Sequence, residues 1–119
     1  MNLFEAPNLT LLSRFLDLAS MRQTLVSTNL ANVDTPGYHT RDIDFRGELA
    51  RAMNGGGADE GMSPFVMPVR GLIARPDGNN VSLDRESMLL AETQLQFKAA
   101  TAILRNEFAE INTAIKEGQ

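Results

Sequence analysis

The feature that most constrains the fold is a row of large apolar side chains in the last third of the chain, spaced seven residues apart. The row consists of Leu83, Leu90, Phe97, Leu104 and Ile111. Side chains at this spacing lie on one face of an α-helix. Phe108 and Ile115 lie beside the row and broaden it, and Ser82 is a suitable N-cap. The pattern predicts a helix over residues 82–117, of which Leu83 to Ile115 alone would span about 50 Å.

The N-terminal part of the chain has the same spacing. Leu11, Leu18 and Leu25 are seven residues apart, and Phe15 widens the apolar stripe. Asn8, directly after a proline, is a suitable N-cap. These features predict a first helix over residues 9–33.

Two asparagines fall on or beside the apolar stripe in the last turns of this first helix. The leucine row continues to Asn32, and the row through Phe15 and Arg22 continues to Asn29. One interpretation is that they are C-cap residues, since asparagine tolerates the left-handed conformation. The other is that they are buried amides at a helix interface, which fix register because they are satisfied only when the partner is aligned. The spacing leaves both interpretations open.

A turn must follow directly. Thr35 precedes a proline and is disfavoured in the helical region. Pro36 suits the second position of a β-turn, and Gly37 supplies the positive φ that a type II turn needs at the third, before Tyr38. The first helix is therefore predicted to stop near Val33.

The middle of the chain has a weaker apolar pattern. Gly55 to Gly57 predict a flexible break, and Asp44 to Met53 predict one or two helical turns. Phe65 to Ile73 predict a short strand or an extended arm, which Pro68 would confine to a sheet edge.

The predicted fold is a single, mainly α domain over residues 1–119. Its long N- and C-terminal amphipathic helices pair as a coiled-coil-like hairpin, and residues 34–80 form an extended, loop-rich segment that can contain short strands. Because the apolar stripes are wider than a two-stranded seam requires, we expect other chains to cover part of them.

Composition excludes several classes of function. The net charge is −4, and Lys98 and Lys116 are the only lysines, which argues against binding to a phosphate backbone. The chain has no cysteine, so it has no disulfide, thiolate metal site or cysteine nucleophile. The sequence also predicts no membrane insertion, because no apolar run approaches the ~20 residues needed. Glu5 and Pro7, without a basic segment before an apolar one, predict no cleaved signal peptide.

The only local cluster that resembles a catalytic or metal site consists of Asp34, His39, Asp42 and Asp44. The alternation of the last two aspartates with Ile43 and Phe45 favours a different interpretation, in which a solvated face lies opposite a packed one. Known catalytic spacings are absent. We therefore predict no enzymatic activity, no catalytic residue, no cofactor and no metal. The alternative hypothesis is a small enzyme that uses Asp34, His39 and Asp42.

The stretch from Asn29 to Tyr38 resembles the signature at which the first helix ends in the rod and hook subunits of the bacterial flagellum. Its asparagines and its Thr-Pro-Gly-Tyr turn carry the likeness. The segments Arg41–Phe45, Val81–Glu86 and Gln94–Phe97 are similar to the proximal-rod members of the basal-body rod family. The resemblance covers about residues 9–50 and 78–117.

This resemblance implies a structural subunit of the proximal rod, located in the flagellar basal body. Such a subunit would be exported from the cytoplasm by the flagellar type III apparatus and assembled helically to transmit motor torque. Its partners would be copies of itself, other rod subunits, the rod-base adaptor and the membrane ring. The alternatives are another proximal-rod relative, or a soluble helical adaptor or secretion chaperone that binds one partner.

The predicted subunit interface combines the apolar rows with the two asparagines. It comprises Leu11, Phe15, Leu18, Leu25, Asn29, Asn32, Leu83, Leu90, Phe97, Leu104, Phe108, Ile111 and Ile115. The turn, Thr35 to Tyr38, would close the inner helix and direct Asp42, Ile43, Asp44 and Phe45 along a neighbouring subunit.

Overall fold

The computed structural model describes residues 6–54 and 64–118, so the predicted break at Gly55 to Gly57 lies outside the described residues. The elements are α1 (Ala6–Ala31), β1 (Arg41–Ile43), α2 (Phe45–Met53), β2 (Val66–Pro68) and α3 (Leu83–Glu117). The molecule is elongated, with dimensions of 68 × 26 × 18 Å. The predicted mainly α architecture with two long helices is confirmed. Within the described ranges, no helix has the length and apolarity to cross a membrane.

The first helix differs slightly from its predicted bounds. It already includes Ala6, so Asn8 lies inside its first turn and is not the cap. It ends at Ala31, two residues before Val33. The Asn32 N–H is shared between the carbonyls of Thr28 and Asn29, at 3.1 and 3.2 Å, and the Val33 N–H bonds the carbonyl three residues back, at 3.2 Å, so the last turn tightens into a 3₁₀-type turn. The Asn32 side chain also donates to the Thr28 carbonyl at 2.8 Å. Asn32 therefore acts as a helix-terminating residue.

The two long helices pack antiparallel, as the hairpin prediction requires. The end of α1 meets the start of α3, where Asn29 donates to Glu86 at 3.2 Å. The predicted cap is confirmed, since the Ser82 hydroxyl accepts from the Arg85 N–H at 3.3 Å.

The face that α3 buries within the chain is not the predicted seven-residue row. The buried residues of α3 are Glu86, Leu89, Thr93 and Ala100. Leu83 is 55% exposed, and the other members of the row are half-buried. Leu89, Thr93 and Ala100 share one helix face that lies beside the predicted row. Phe97, a member of the row, packs against the core from its edge.

The apolar core joins α1 to the middle segment. Leu18, Ala19, Ile43 and Phe45 form its buried cluster. The rings of Phe15 and Phe45 meet edge to face, with centroids 5.4 Å apart. Ile43 and Phe45 are thus packed as predicted. Asp44 is exposed and caps α2, accepting from the Gly47 N–H at 3.2 Å.

The strands form a two-stranded antiparallel sheet that is smaller than the sequence suggested. Arg41 pairs with Pro68, Asp42 with Met67 and Ile43 with Val66. The extended segment predicted over Phe65 to Ile73 contains strand only at Val66–Pro68. Pro68 lies at its end, in an edge strand, as expected for a residue without a backbone N–H.

We expect Leu18→Ala to lower the free energy of unfolding by about 2–5 kcal/mol, because it empties space in a fully buried cluster. Leu95→Ala is the matched control: the same atoms are removed from a side chain that is 67% exposed, with an expected effect within about 0.5 kcal/mol. Urea unfolding followed by far-ultraviolet circular dichroism measures both. Equal losses would contradict this description of the core.

Candidate functional site at the helix junction

Buried polar side chains connect the end of α1, the turn, β1 and the start of α3. We call this group the junction; it consists of Arg22, Asn29, Tyr38, Asp42, Arg85 and Glu86. Asn29 is 1% exposed and Glu86 is fully buried. Because an unpaired polar group is costly at such a position, each of these contacts constrains the fold.

Asn29 uses its whole amide group. Its nitrogen donates to the Arg41 carbonyl at 2.9 Å and to the Glu86 carboxylate at 3.2 Å. Its oxygen accepts from the Tyr38 hydroxyl at 2.8 Å and from the Arg41 N–H at 3.2 Å. Two donors and two lone pairs are all that an asparagine amide offers. Asn29 is therefore the buried amide at a helix interface that one sequence interpretation described, and its partners belong to its own chain.

Two arginines surround the carboxylate of Asp42. Arg22 of α1 binds it through two nitrogens, at 3.3 and 3.1 Å. Arg85 of α3 donates to it at 2.7 Å and also to Glu86 at 2.7 Å. The junction thus balances two carboxylates with two guanidinium groups. Bidentate arginine pairs fix orientation as well as charge, so β1 is held in place between the two long helices.

This arrangement corrects the prediction that Asp42 lies on a solvated face. Its exposed fraction is 8%. The alternating pattern correctly predicted that Ile43 and Phe45 are buried and that Asp44 is exposed. The prediction of an exposed Asp42 is wrong, because the arginines that neutralise its carboxylate come from two distant segments.

The Thr-Pro-Gly-Tyr turn forms as predicted. The Tyr38 N–H donates to the Thr35 carbonyl at 3.2 Å, and Gly37 has a φ of +74°. A second turn approaches it closely, since a Cβ at Gly78 would lie 3.4 Å from the Cα of Gly37. The Gly37 N–H donates to the Asp77 carbonyl at 2.9 Å. The two turns therefore support one another.

Two further asparagines tie the second turn to the first. The buried Asn79 amide donates to the carbonyls of Asn32 and Thr35, at 2.8 and 2.9 Å. The Asn80 side chain accepts from the backbone and the hydroxyl of Thr40, at 2.7 and 2.9 Å. These contacts join the segment before α3 to the segment after α1.

Burial raises the pKa of the Tyr38 phenol above its ordinary value of 10.0; Arg41 opposes this shift and the Glu86 carboxylate adds to it. The neutral phenol is thus the form that the folded junction favours. It is also the form that can donate the hydrogen bond to Asn29.

The structure divides the predicted interface residues into three groups. Leu18 and Asn29 are enclosed by their own chain, so their side chains are not available to a neighbour. The half-buried members are Leu11, Phe15, Leu25, Asn32, Leu90, Phe97, Leu104 and Ile111. The members that are more than half exposed are Leu83, Phe108 and Ile115. A subunit interface through these last two groups stays a prediction.

The junction has the chemistry of a structural connection. Asp34 and His39 are exposed, whereas Asp42 is neutralised by its two arginines. Across the described residues, no three histidine, cysteine, aspartate or glutamate side chains are grouped so that they could hold a metal ion.

The sequence interpretation missed Arg22, Arg85 and Glu86 as members of the site. The sequence did contain an indication for Arg22, because this charged residue lies on the same helix row as Phe15 and Asn29. Glu86 is an acidic residue in the first turn of α3, where carboxylates are common on exposed surfaces. Its position one turn after Leu83, beside the apolar row, was the feature that indicated burial.

Curated proteins with similar sequences share one name, flagellar basal body rod protein FlgB. The relative from Borrelia hermsii is 34% identical, over 98% of this chain and 100% of its own length. The relative from Cereibacter sphaeroides is 36% identical over 83% of this chain and 86% of its own length. The relative from Yersinia ruckeri is 30% identical over 87% of this chain and 89% of its own length. No family model matches the chain.

We expect Asn29→Ala to destabilise the fold by about 3 kcal/mol or more, because it leaves several buried partners unsatisfied. Asn32→Ala is the control, since it removes the same amide from a half-exposed site, at an expected cost of about 1 kcal/mol. Urea unfolding of the two variants compares them. A similar loss in both would show that the buried amide has no special role.

The raised pKa of Tyr38 predicts a measurable titration. Tyr38 is the only tyrosine and the chain has no tryptophan, so phenolate absorbance reports on this group alone. We expect a midpoint above 10.0 in the folded protein and a lower one in denaturant. Because the folded pKa is raised, the contribution of Tyr38 to stability is complete below the unfolded pKa and is lost as pH rises through the folded pKa. Identical midpoints would contradict the burial argument.

Proposed function

Since this chain belongs to the FlgB family of flagellar basal body rod proteins, we propose that it is a structural, non-enzymatic subunit of the proximal rod. In this proposal it is exported by the flagellar type III apparatus and assembles helically in the basal body. It transmits motor torque through contacts with copies of itself, other rod subunits, the rod-base adaptor and the membrane ring.

The observation that carries the proposal is the apolar surface that α3 leaves uncovered. The large apolar side chains of α3 that are more than half exposed are Leu83, Met88, Leu95, Ile103, Phe108 and Ile115. At about 100° per residue they fall on two sides of the helix: Leu83, Phe108 and Ile115 lie on one, and Met88, Leu95 and Ile103 lie on the other. Exposed apolar surface on two sides of one helix is typical of a helix that neighbours cover. A wall of many subunits supplies such neighbours.

The lengths of the helices support the same conclusion. With 26 residues in α1 and 35 in α3, the second helix is longer by about 13 Å at 1.5 Å per residue. The last turns of α3 therefore extend past their partner. Ile115 lies in this region and Phe108 lies directly before it, and both are more than half exposed.

Torque transmission needs a subunit that does not deform under load. The junction joins α1, β1 and α3 through buried hydrogen bonds and two arginine bridges. Interiors with such contacts have low compressibility and transmit strain. This rigidity suits a subunit that passes force to its neighbours.

We expect Phe108→Asp to abolish or strongly reduce swimming, because a carboxylate would be buried without a partner in the assembled rod. Asn106→Asp is the control: it adds the same charge to α3 at an exposed polar position two residues away. Each variant replaces the natural gene, and motility and circular dichroism are measured. Normal swimming of a folded Phe108→Asp variant would contradict a buried role for this surface.

Fractionation tests the proposal against the adaptor or chaperone. A rod subunit remains with basal bodies after detergent extraction of the cell envelope. A chain found only in the cytosol, as a small oligomer of defined size, would overturn the rod proposal and favour the adaptor.

A further inference from the structure

An apolar groove lies between the first half of α1, α2 and the middle of α3, on one side of the helix pair. Its volume is about 350 Å³, and Leu9, Leu12, Phe15, Leu49 and Ile103 line it together with Glu107. Glu107 is the one charged residue of the lining. No described residue forms an ion pair with Glu107. The groove therefore presents an apolar surface with one acidic side chain.

A second surface has the complementary character. We call residues 65–75 the arm; it contains β2 and the loop that follows. Phe65 is 74% exposed, Met67 43% and Ile73 92%, which makes Ile73 the most exposed large apolar side chain of the described chain. Arg70 is exposed among them and makes no ion pair with any described residue. The arm thus presents apolar side chains around Arg70, while its other arginine, Arg75, donates to the backbone carbonyls of Val33 and Val81.

The arm begins beside α2, where the Phe65 N–H lies 3.5 Å from a carboxylate oxygen of Glu48, but its loop, with Arg70 and Ile73, is held at the turn end of α1. The Val69 N–H donates to the Thr40 carbonyl at 2.9 Å, and the Arg75 N–H donates to the Asn79 carbonyl at 2.8 Å. Arg75 also donates to the carbonyl of Val33. These contacts anchor the loop at the turn end of α1. Phe15, the groove residue of α1 nearest to the turn, lies sixteen residues back from Ala31, about 24 Å along the helix axis. We therefore expect that Ile73 does not reach the groove within one chain.

We propose that the arm of one subunit docks in the groove of a second copy of this chain, with Ile73 entering the apolar space and Arg70 pairing with Glu107. The two surfaces differ in character and lie at different places, so the contact is heterologous. A heterologous contact that does not close into a ring repeats along an open helical assembly. The inference rests on the proposed function and names which segments of neighbouring subunits meet.

Charge favours the arm over the other exposed apolar segment, the end of α3. Residues 64–76 contain Arg70 and Arg75 and no acidic residue. The end of α3 has Glu110 and Glu117 beside Lys116. Entry of that end into the groove would bring carboxylates towards Glu107, whereas entry of the arm brings a guanidinium group.

Cysteine cross-linking tests the contact directly, because the chain has no cysteine of its own. A chain with both Ile73→Cys and Ile103→Cys is assembled into basal bodies in cells, and the purified basal bodies are oxidised. We expect a ladder of dimers, trimers and larger species, since each copy joins its arm to the next copy's groove. Each single variant should stay monomeric. The matched control combines Ile73→Cys with Ser20→Cys, an exposed α1 position outside the groove, and should give no ladder.

Charge reversal tests the role of the ion pair. In the chain that carries Ile73→Cys and Ile103→Cys, we expect Arg70→Glu alone or Glu107→Arg alone to lower the cross-linked fraction several-fold and to reduce swimming. The double reversal should restore both, because the pair is rebuilt with opposite polarity. Failure of the double variant to recover, with normal folding by circular dichroism, would overturn the pairing.

Several outcomes separate this inference from the proposed function. No ladder, with the chain present in basal bodies, would overturn the docking and leave the rod assignment intact. A ladder with Ile103→Cys and Ile115→Cys, and none with Ile73→Cys, would overturn it in favour of the α3 end. Absence of the natural chain from basal bodies would overturn the rod assignment itself.

Discussion

The structure depends on one constraint above the others: the buried amide of Asn29 must find all four of its hydrogen bonds. Its partners belong to the turn, to β1 and to α3. A shift of any of these segments would break a hydrogen bond to an amide that is only 1% exposed. A single side chain thus couples the end of one long helix to the start of the other, although 57 residues separate Asn29 from Glu86.

The ion pairs around Asp42 extend this constraint to the strand. Arg22 and Arg85 approach the same carboxylate from different helices, and Arg85 also satisfies Glu86. Buried ion pairs contribute little net stability compared with apolar packing, but breaking one is costly. Their consequence here is geometric: the direction in which β1, and with it the arm, leaves the helix pair is fixed.

The junction lies at one end of the molecule and holds the exposed surfaces at fixed positions relative to one another. The chain buries only a narrow face of α3 and leaves large apolar side chains on two other sides of that helix. The arm is anchored at the turn end, and the groove lies towards the other end of α1. Two complementary surfaces that lie at a fixed distance on one molecule allow copies to bind one after another in one direction. This is the assembly that we propose for a rod subunit.

Local physical chemistry allowed the helices, the turn and the cap to be predicted from sequence. The apolar spacing of Leu11, Leu18 and Leu25 predicted a helix, and Ser82 was predicted to be the N-cap of α3. Glycine is the residue best suited to the positive φ at Gly37. These features depend on neighbouring residues, so the sequence by itself determined them. Gly37 and Ser82 also lie in the segments that carried the resemblance to the family.

The tertiary structure decided which faces are buried and which charges are paired. The spacing of Leu83, Leu90 and Phe97 identified an apolar face, but the face that the fold buries is the neighbouring one, with Thr93 and Ala100. Asp42 could not be assigned from its strand, because the arginines that neutralise it lie 20 and 43 residues away. The sequence allowed either asparagine to be a helix-end residue or a buried amide. The tertiary structure decided between these roles, because α3 places Glu86 against Asn29. Periodicity describes the surface of one element, whereas burial depends on which other element covers it.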